Sequence, residues 1–424
     1  MTHAGQQFLT PSQPFHTRLS SLAAFLVPAL SLWLPSGYAW GAALLALGAL
    51  ASAPDWWRAP IEPRQARWLV LSFGLMALAW AYGSDWEGGV ASALNKPLRY
   101  GVAVISLLYA LRHPPDVRWL LAGVAVGAAC GGLRALYDVQ VLGLERPWFT
   151  PRQTANAIQL GNLSGLLGLM CWLQMLVLWH RWRWPLRLTL ALCCALGLLG
   201  SLLSQTRGGW LALMLCGLVL MVLAAARLPA RRIWPSSLLL AAVVLPLAWQ
   251  MQPVLSERIS WAYEEARRYQ QDGSDTNTSV GHRLDHAQLA WRMGRDRPLT
   301  GWGEAGYHAE KARRVQAGQA SAATLQYGHS HNEILDMFAK RGVFALAALG
   351  LLYAVPLVLF WPRKTDPPAP DEALLLRLMG VAVPVGFFGF GLTQVFFAHY
   401  NGVVMYLTLV LLICAALAGL RRRP

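Results

Sequence analysis

Apolar residues in this chain come in long blocks separated by short polar breaks, with neither strict alternation nor a one-faced stripe as the dominant pattern. A block of roughly 17–25 mostly apolar residues is long enough to cross a bilayer as a helix. A span of that kind is helical because its backbone groups find no water to bond. Twelve blocks fit to within a few residues: 20–35, 37–53, 67–83, 97–112, 117–137, 157–179, 186–204, 209–227, 234–252, 342–361, 374–397 and 401–420. The pattern predicts an all-α polytopic membrane protein with about twelve transmembrane helices. One interval breaks the rhythm. Residues 253–341 hold no apolar block of spanning length, and so long a connection usually carries a function. The chain is expected to divide into 1–252 with helices 1–9, a helical loop at 253–341, and 342–424 with helices 10–12.

Composition agrees. The chain is 55% hydrophobic and 13% charged, where a soluble domain carries about 25% charged residues. The net charge of +15 is laid out as in a membrane protein, and no nucleic-acid partner is expected. If the N-terminus is cytoplasmic, the inner segments hold 18 Lys and Arg, the short outer segments hold 6, and the long loop holds the other 12. Short inner loops attract positive charge and long loops count little. Both termini are therefore expected inside, and the loop outside. The first 18 residues lack the charged, apolar and cleavage regions of a signal peptide in that order, so the first block is expected to stay in the membrane. All six cysteines lie in apolar blocks without metal-ligand spacing; they read as small apolar residues.

The loop itself reads as a layer of short helices. "PVLSERISWAYEEARRYQQ" predicts a first helix, with Leu255, Ile259, Ala262 and Ala266 at helical spacing and Ser256 as cap. "DGSDTNTS" is a polar linker, and "VGHRLDHAQLAWRMGRDRP" predicts a second helix. Glycines 301, 303 and 306 in "PLTGWGEAGY" mark tight turns, and a third short helix follows near 304–318. The loop ends in "GHSHNEILDMFAKRG", which sets His329, His331 and Asn332 at the mouth of a span. Glu333 and Asp336, at helical spacing from Lys340, are expected to form a solvated face.

Three stretches carry a family resemblance: "SQTRGGWLAL"; Arg283 followed fifteen residues later by Pro-Leu-x-Gly-x-Gly; and His331-Asn332, nine residues, then Gly342. On these the chain resembles the O-antigen ligase and O-antigen polymerase superfamily over roughly 190–415, and the third pattern resembles the ligase branch. Ala287 departs from the family habit of an aromatic four residues after the loop arginine; no role is carried over to Trp291, one turn later. The resemblance implies a bacterial inner-membrane enzyme with its active site facing the periplasm. It implies glycosyl transfer from polysaccharide on undecaprenyl pyrophosphate to a sugar hydroxyl of lipid A-core, in lipopolysaccharide assembly, with no metal or other cofactor.

The residues suit that chemistry. A pyrophosphate leaving group gains negative charge, which needs oriented cations or N–H groups, and arginine's fork matches phosphate. Arg207 precedes Gly208-Gly209 at the start of a span, where free backbone N–H groups favour an anion; Arg283 is the second expected ligand. His331 is the expected base for the acceptor hydroxyl, because neutral imidazole is available near pH 7. Asn332 is expected to orient the histidine or hold a sugar, with His329, Lys96, Arg99 and Arg152 as further substrate-binding residues. No third and fourth ligand follow the His-x-His at a zinc spacing. A polysaccharide polymerase and an oligosaccharyltransferase acting on pilin share the donor and the arginines, so both stay open. A transporter of lipid-linked sugars fits less well, because charges sit at the ends of the blocks rather than mid-span.

Overall fold

A computed structural model describes residues 12–57, 60–85, 88–147, 156–250, 279–363 and 370–422, with isolated positions between 252 and 267. Among the described residues there are helices and no strands. In chain order they are α1 (Ser12–Leu30), α2 (Gly37–Ala51), the short α3 (Ala53–Trp57), α4 (Ala66–Tyr82), α5 (Val90–Arg112), α6 (Val117–Leu136), α7 (Ala157–Leu178), α8 (Trp184–Leu203), α9 (Arg207–Ala225) and α10 (Ala230–Gln250). Then come α11 (Ser279–Asp296), α12 (Gly303–Gln316), α13 (Glu333–Phe360), α14 (Asp371–Gly391) and α15 (Tyr400–Arg421). Every apolar block seen in the sequence overlaps one of these helices. Among the described residues seven helices are long and apolar enough to cross a membrane, and α2 and α4 are shorter apolar helices. The protein is an all-helical, multi-pass membrane protein. The second and third helices expected in the loop are α11 and α12; the first, and the linker after it, fall largely outside the described residues.

The core is built around α7, whose side chains from Gln159 to Leu178 are all buried. A helix apolar on all sides needs partners on all sides, and α6, α8, α9 and α14 supply them. α15 continues the core, buried along most of its length against α5 and α14. Leu47, Leu78, Leu211 and Trp249 are more than 60% exposed, as a surface bathed in lipid allows.

The two ends of the bundle differ. At one end the described chain termini lie together against α5: the His16 ring meets the Tyr109 hydroxyl at 3.2 Å, and Arg422 donates to the Leu111 carbonyl at 3.0 Å. Basic residues cluster there too, with Arg227 donating to Pro362 and Arg363 carbonyls and Arg232 to Asp371. At the other end the C-termini of α4 and α14 meet the N-termini of α7, α9, α13 and α15. The folded part of the loop caps this second end, and the Glu304 N–H donates to the Gly83 carbonyl at 3.0 Å.

Candidate active site

The backbone explains why two of the sequence motifs occur together. Gly342 interrupts α13 with φ 72° and ψ −168°, a combination essentially reserved for glycine. The break lets the chain 298–303 lie against the helix: Val343 N–H donates to the Pro298 carbonyl at 2.8 Å, and Trp302 N–H to the Ala339 carbonyl at 3.0 Å. A Cβ on Gly342 would stand 2.2 Å from the Leu299 oxygen, and one on Gly301 2.3 Å from the Arg341 nitrogen. The Pro-Leu-x-Gly-x-Gly turn and the glycine nine residues after His-Asn are thus two sides of one seam. Leu289, Ala290 and Met293 of α11 pack on Tyr307 and Ala339 beside it. That packing turns the first turns of α11, with His282, Arg283 and His286, towards the loop before α13.

A buried ion cluster holds that loop. Lys340 lies 2.9 Å from Glu304 and 3.1 Å from Asp336, and Arg341 lies 3.1 Å from Glu304. Burial alone would raise the Glu304 carboxyl, but Lys340, a bond from His308, Arg341 and Lys96 pull it far below the ordinary range. The expectation of a solvated face is therefore corrected: Glu333, Asp336, Lys340 and Arg341 are each at most 2% exposed. Spacing alone cannot tell a charged stripe facing water from one facing a second charged helix, here α12. Lys340 also donates to the Gly328 carbonyl at 2.9 Å, Asp336 accepts from Ser330 N–H at 2.9 Å, and Glu333 accepts from Phe396 and Phe397 N–H at 2.6 and 3.0 Å.

Between these anchors His331 sits at φ 56°, a left-handed conformation uncommon outside glycine and costing about 1–3 kcal/mol. It borders a cavity of about 540 Å³ whose lining includes Arg283, His282, Tyr327, His329, Gln394 and Arg146. The His331 ring lies edge-to-face with Tyr327 at 4.7 Å, His329 at 4.4 Å and His286 at 5.4 Å. Among the described residues its buried Nδ1 has no hydrogen-bond partner. Burial first, and the Arg283 charge second, bring its pKa down to about 4 against a partial offset from a Gln394 hydrogen bond. Burial and neighbouring cations likewise hold His286 at about 3 and His399 at about 4. The cavity therefore presents the neutral His331 imidazole beside a permanent guanidinium. Among the described residues no three His, Cys, Asp or Glu side chains converge as a metal site.

The other expected residues separate. Arg207 is half-buried at the first position of α9, and Gly208 packs against Thr393, next to Gln394 of the cavity wall. Arg146 donates to the Ser204 carbonyl at 2.9 Å, three residues from Arg207, so the two arginines belong to one corner. Asn332 is tied to the backbone: its Oδ1 accepts from Leu335 N–H at 3.0 Å and caps α13, while its Nδ2 donates to the Leu392 carbonyl at 3.1 Å. Lys96 lies over the Trp80 ring at 4.6 Å, on the side of the ion cluster. Arg99 stacks on Tyr400 at 3.7 Å and lines a different groove, between α2, α5 and α15. Neither joins the cavity, because both lie on α5, which packs across the bundle from α11. Arg152 lies outside the described residues. Sequence reading missed Arg146, His282, Tyr327 and Gln394 as wall residues, and His286 behind them against the His331 ring. His282 and His286, one turn apart around Arg283, were the available signal; Gln394 gave none.

Two comparisons bear on these residues. A protein of Haemophilus influenzae described as "Uncharacterized protein" is 24% identical over 318 residues, which is 75% of this chain and 78% of its own length. The family described as "O-Antigen ligase" matches over residues 192–350, a stretch that holds Arg207, Arg283, His331 and both sides of the glycine seam. Over residues 192–350 this chain is similar to the O-antigen ligase family.

Proposed function

We propose that the protein is an O-antigen ligase of the bacterial inner membrane. It moves a polysaccharide from undecaprenyl pyrophosphate to a sugar hydroxyl of lipid A-core, without a metal, at a cavity facing the periplasm; both termini are cytoplasmic. The observation that carries this reading is that His331 and Arg283 line one cavity at the end of a membrane bundle. In the proposed step the acceptor oxygen attacks the anomeric carbon of the donor. The bond from that carbon to the pyrophosphate oxygen breaks, and undecaprenyl pyrophosphate leaves as an anion. The acceptor proton goes to the His331 imidazole. Arg283, with Arg207 and Arg146 from the neighbouring corner, takes up the charge of the leaving group. The same charge tunes the base. Arg283 is the second cause of the low His331 pKa, and a bound pyrophosphate would offset it, so donor binding makes the imidazole more basic.

The test is deletion of the gene followed by gel analysis of lipopolysaccharide, with purified protein then given lipid-linked donor and lipid A-core. A ligase leaves lipid A-core bare while lipid-linked polymer accumulates, and the purified protein joins the two. Altered chain length alone would replace the reading with a polymerase, and unmodified pilin with an oligosaccharyltransferase. Either result would keep the donor site and change the acceptor.

A further inference from the structure

At the end of the bundle away from the histidine cavity, α4, α13, α14 and α15 leave a groove of about 560 Å³. Its floor is one face of α13: Leu351, Ala354, Val355, Val358 and Leu359 recur at helical spacing and face Trp68 of α4. Arg363 after α13, Arg377 in the second turn of α14 and Arg421 at the end of α15 also line it. Arg377 is anchored to the Trp361 carbonyl at 3.3 Å. A second apolar cavity, of about 510 Å³, continues along the α4–α13 side from Leu351 towards Arg341. Gly342 to Leu359 spans about 25 Å along the helix axis, so the three arginines are separate from the chemistry proposed above.

We infer that this groove binds an anionic diacyl phospholipid, with its phosphate among Arg363, Arg377 and Arg421 and its chains on the Leu351–Leu359 stripe. Charge complementarity selects the occupant. Three guanidiniums at the mouth of an apolar trench match a headgroup with net negative charge, and basic pockets between transmembrane helices recognise lipid phosphates in this way. Trp68 lies where a tryptophan sits at a membrane boundary. A zwitterionic lipid offers the same chains and phosphate but adds a cation that three arginines repel. The inference does not depend on the ligase reading.

Native mass spectrometry of the purified full chain tests it, with phosphatidylglycerol and phosphatidylcholine of equal chain length. The wild type should retain one phosphatidylglycerol with at least tenfold preference. The combined variant Arg363→Gln, Arg377→Gln, Arg421→Gln should lose that preference. Ala354→Trp fills the trench while leaving the arginines, and should lose retention as well, with unchanged helicity by circular dichroism in both. If the triple variant does not fold, Ala354→Trp decides. Equal retention of both lipids, retention unaffected by Ala354→Trp, or displacement by inorganic phosphate as effectively as by lipid would overturn the proposal. So would a dimer that dissociates on Ala354→Trp, since a second copy would then be the occupant.

Discussion

Replacing Gly342 by alanine tests whether the glycine seam builds the site. At φ 72° and ψ −168° a side-chain-bearing residue costs about 1–3 kcal/mol in backbone energy alone. The added Cβ would also lie 2.2 Å from the Leu299 oxygen and 2.7 Å from the Pro298 oxygen. Both are backbone atoms that no side-chain rotation can move aside, so the turn must withdraw. That loses the Val343–Pro298 hydrogen bond, worth about 0.5–1.5 kcal/mol, for a total near 2–4 kcal/mol. Because 298–303 and α13 share this seam, His331 should shift with it, and a displacement of about 1 Å can cost about 100-fold in rate. Gly350→Ala is the control, since a Cβ there meets nothing within 4 Å and alanine favours the helix by about 0.5–1 kcal/mol. Thermal unfolding in detergent and transfer to lipid A-core should both separate the variants, with Gly342→Ala unfolding several degrees lower and transferring at least tenfold more slowly. If Gly342→Ala matched Gly350→Ala in both assays, the seam would not be what positions the loop.

Arg283→Ala and Arg207→Ala should each slow transfer roughly 100- to 1000-fold, about 3–4 kcal/mol for one oriented charge, with only partial rescue by lysine; full activity in purified variant protein would remove that arginine from the mechanism. His331→Ala should cost roughly 100- to 10,000-fold while donor binding, measured by equilibrium titration, survives. In wild type the neutral ring is the base and its pKa lies near 4, so the rate should be flat above about pH 5.5 and fall as pH drops through 4, with the midpoint higher once donor is bound; a midpoint near 6.5 would refute the burial argument. Folding should show the matching sign: His286, His331 and His399 have folded pKa values below 6.5, so the unfolded chain binds protons that the folded chain does not, and their contribution is complete above about pH 6.5 and shrinks as pH falls towards 4. Lys340→Met leaves Asp336 and Glu304 without their shared cation and should destabilise by about 3–5 kcal/mol; the double variant with Asp336→Asn should recover part of that, and a simple sum of the two effects would show that the cluster is not coupled.

The helices were legible because lipid leaves so little choice of backbone: each apolar block overlaps a helix, although α1, α5, α13 and α14 start or stop well away from the ends of their blocks. What the block pattern misjudged was charge near the ends of blocks. Glu333, Asp336 and Lys340 read as a solvated face, but α12 covers Lys340 with Glu304, a partner thirty-six residues away whose approach no periodicity announces. Arg283 and His331 were legible as motif residues, and their meeting depends on the seam that the glycines hint at. Lys96 and Arg99 were misplaced for a simpler reason. Membership of the outer end says nothing about which side of the bundle a helix occupies, and α5 packs on α4 and α15 rather than on α11.

The strained residue explains why the surrounding network is so dense. A left-handed histidine persists only where its neighbours over-determine it, and here the backbone is pinned on both sides within five positions. Lys340 holds the Gly328 carbonyl, Asp336 holds the Ser330 N–H, and Asn332 closes the first turn of α13 while gripping the Leu392 carbonyl. Both proposed substrates are anchored by lipid tails and drift in the plane of the membrane, so the enzyme gains nothing from a mobile base. It gains from one that lines a fixed cavity and whose basicity answers to the charge beside it. In the mechanism proposed above, Arg283 adds to the burial that lowers the imidazole pKa, and bound pyrophosphate would offset its charge. On that proposal acceptor activation would follow donor binding through electrostatics.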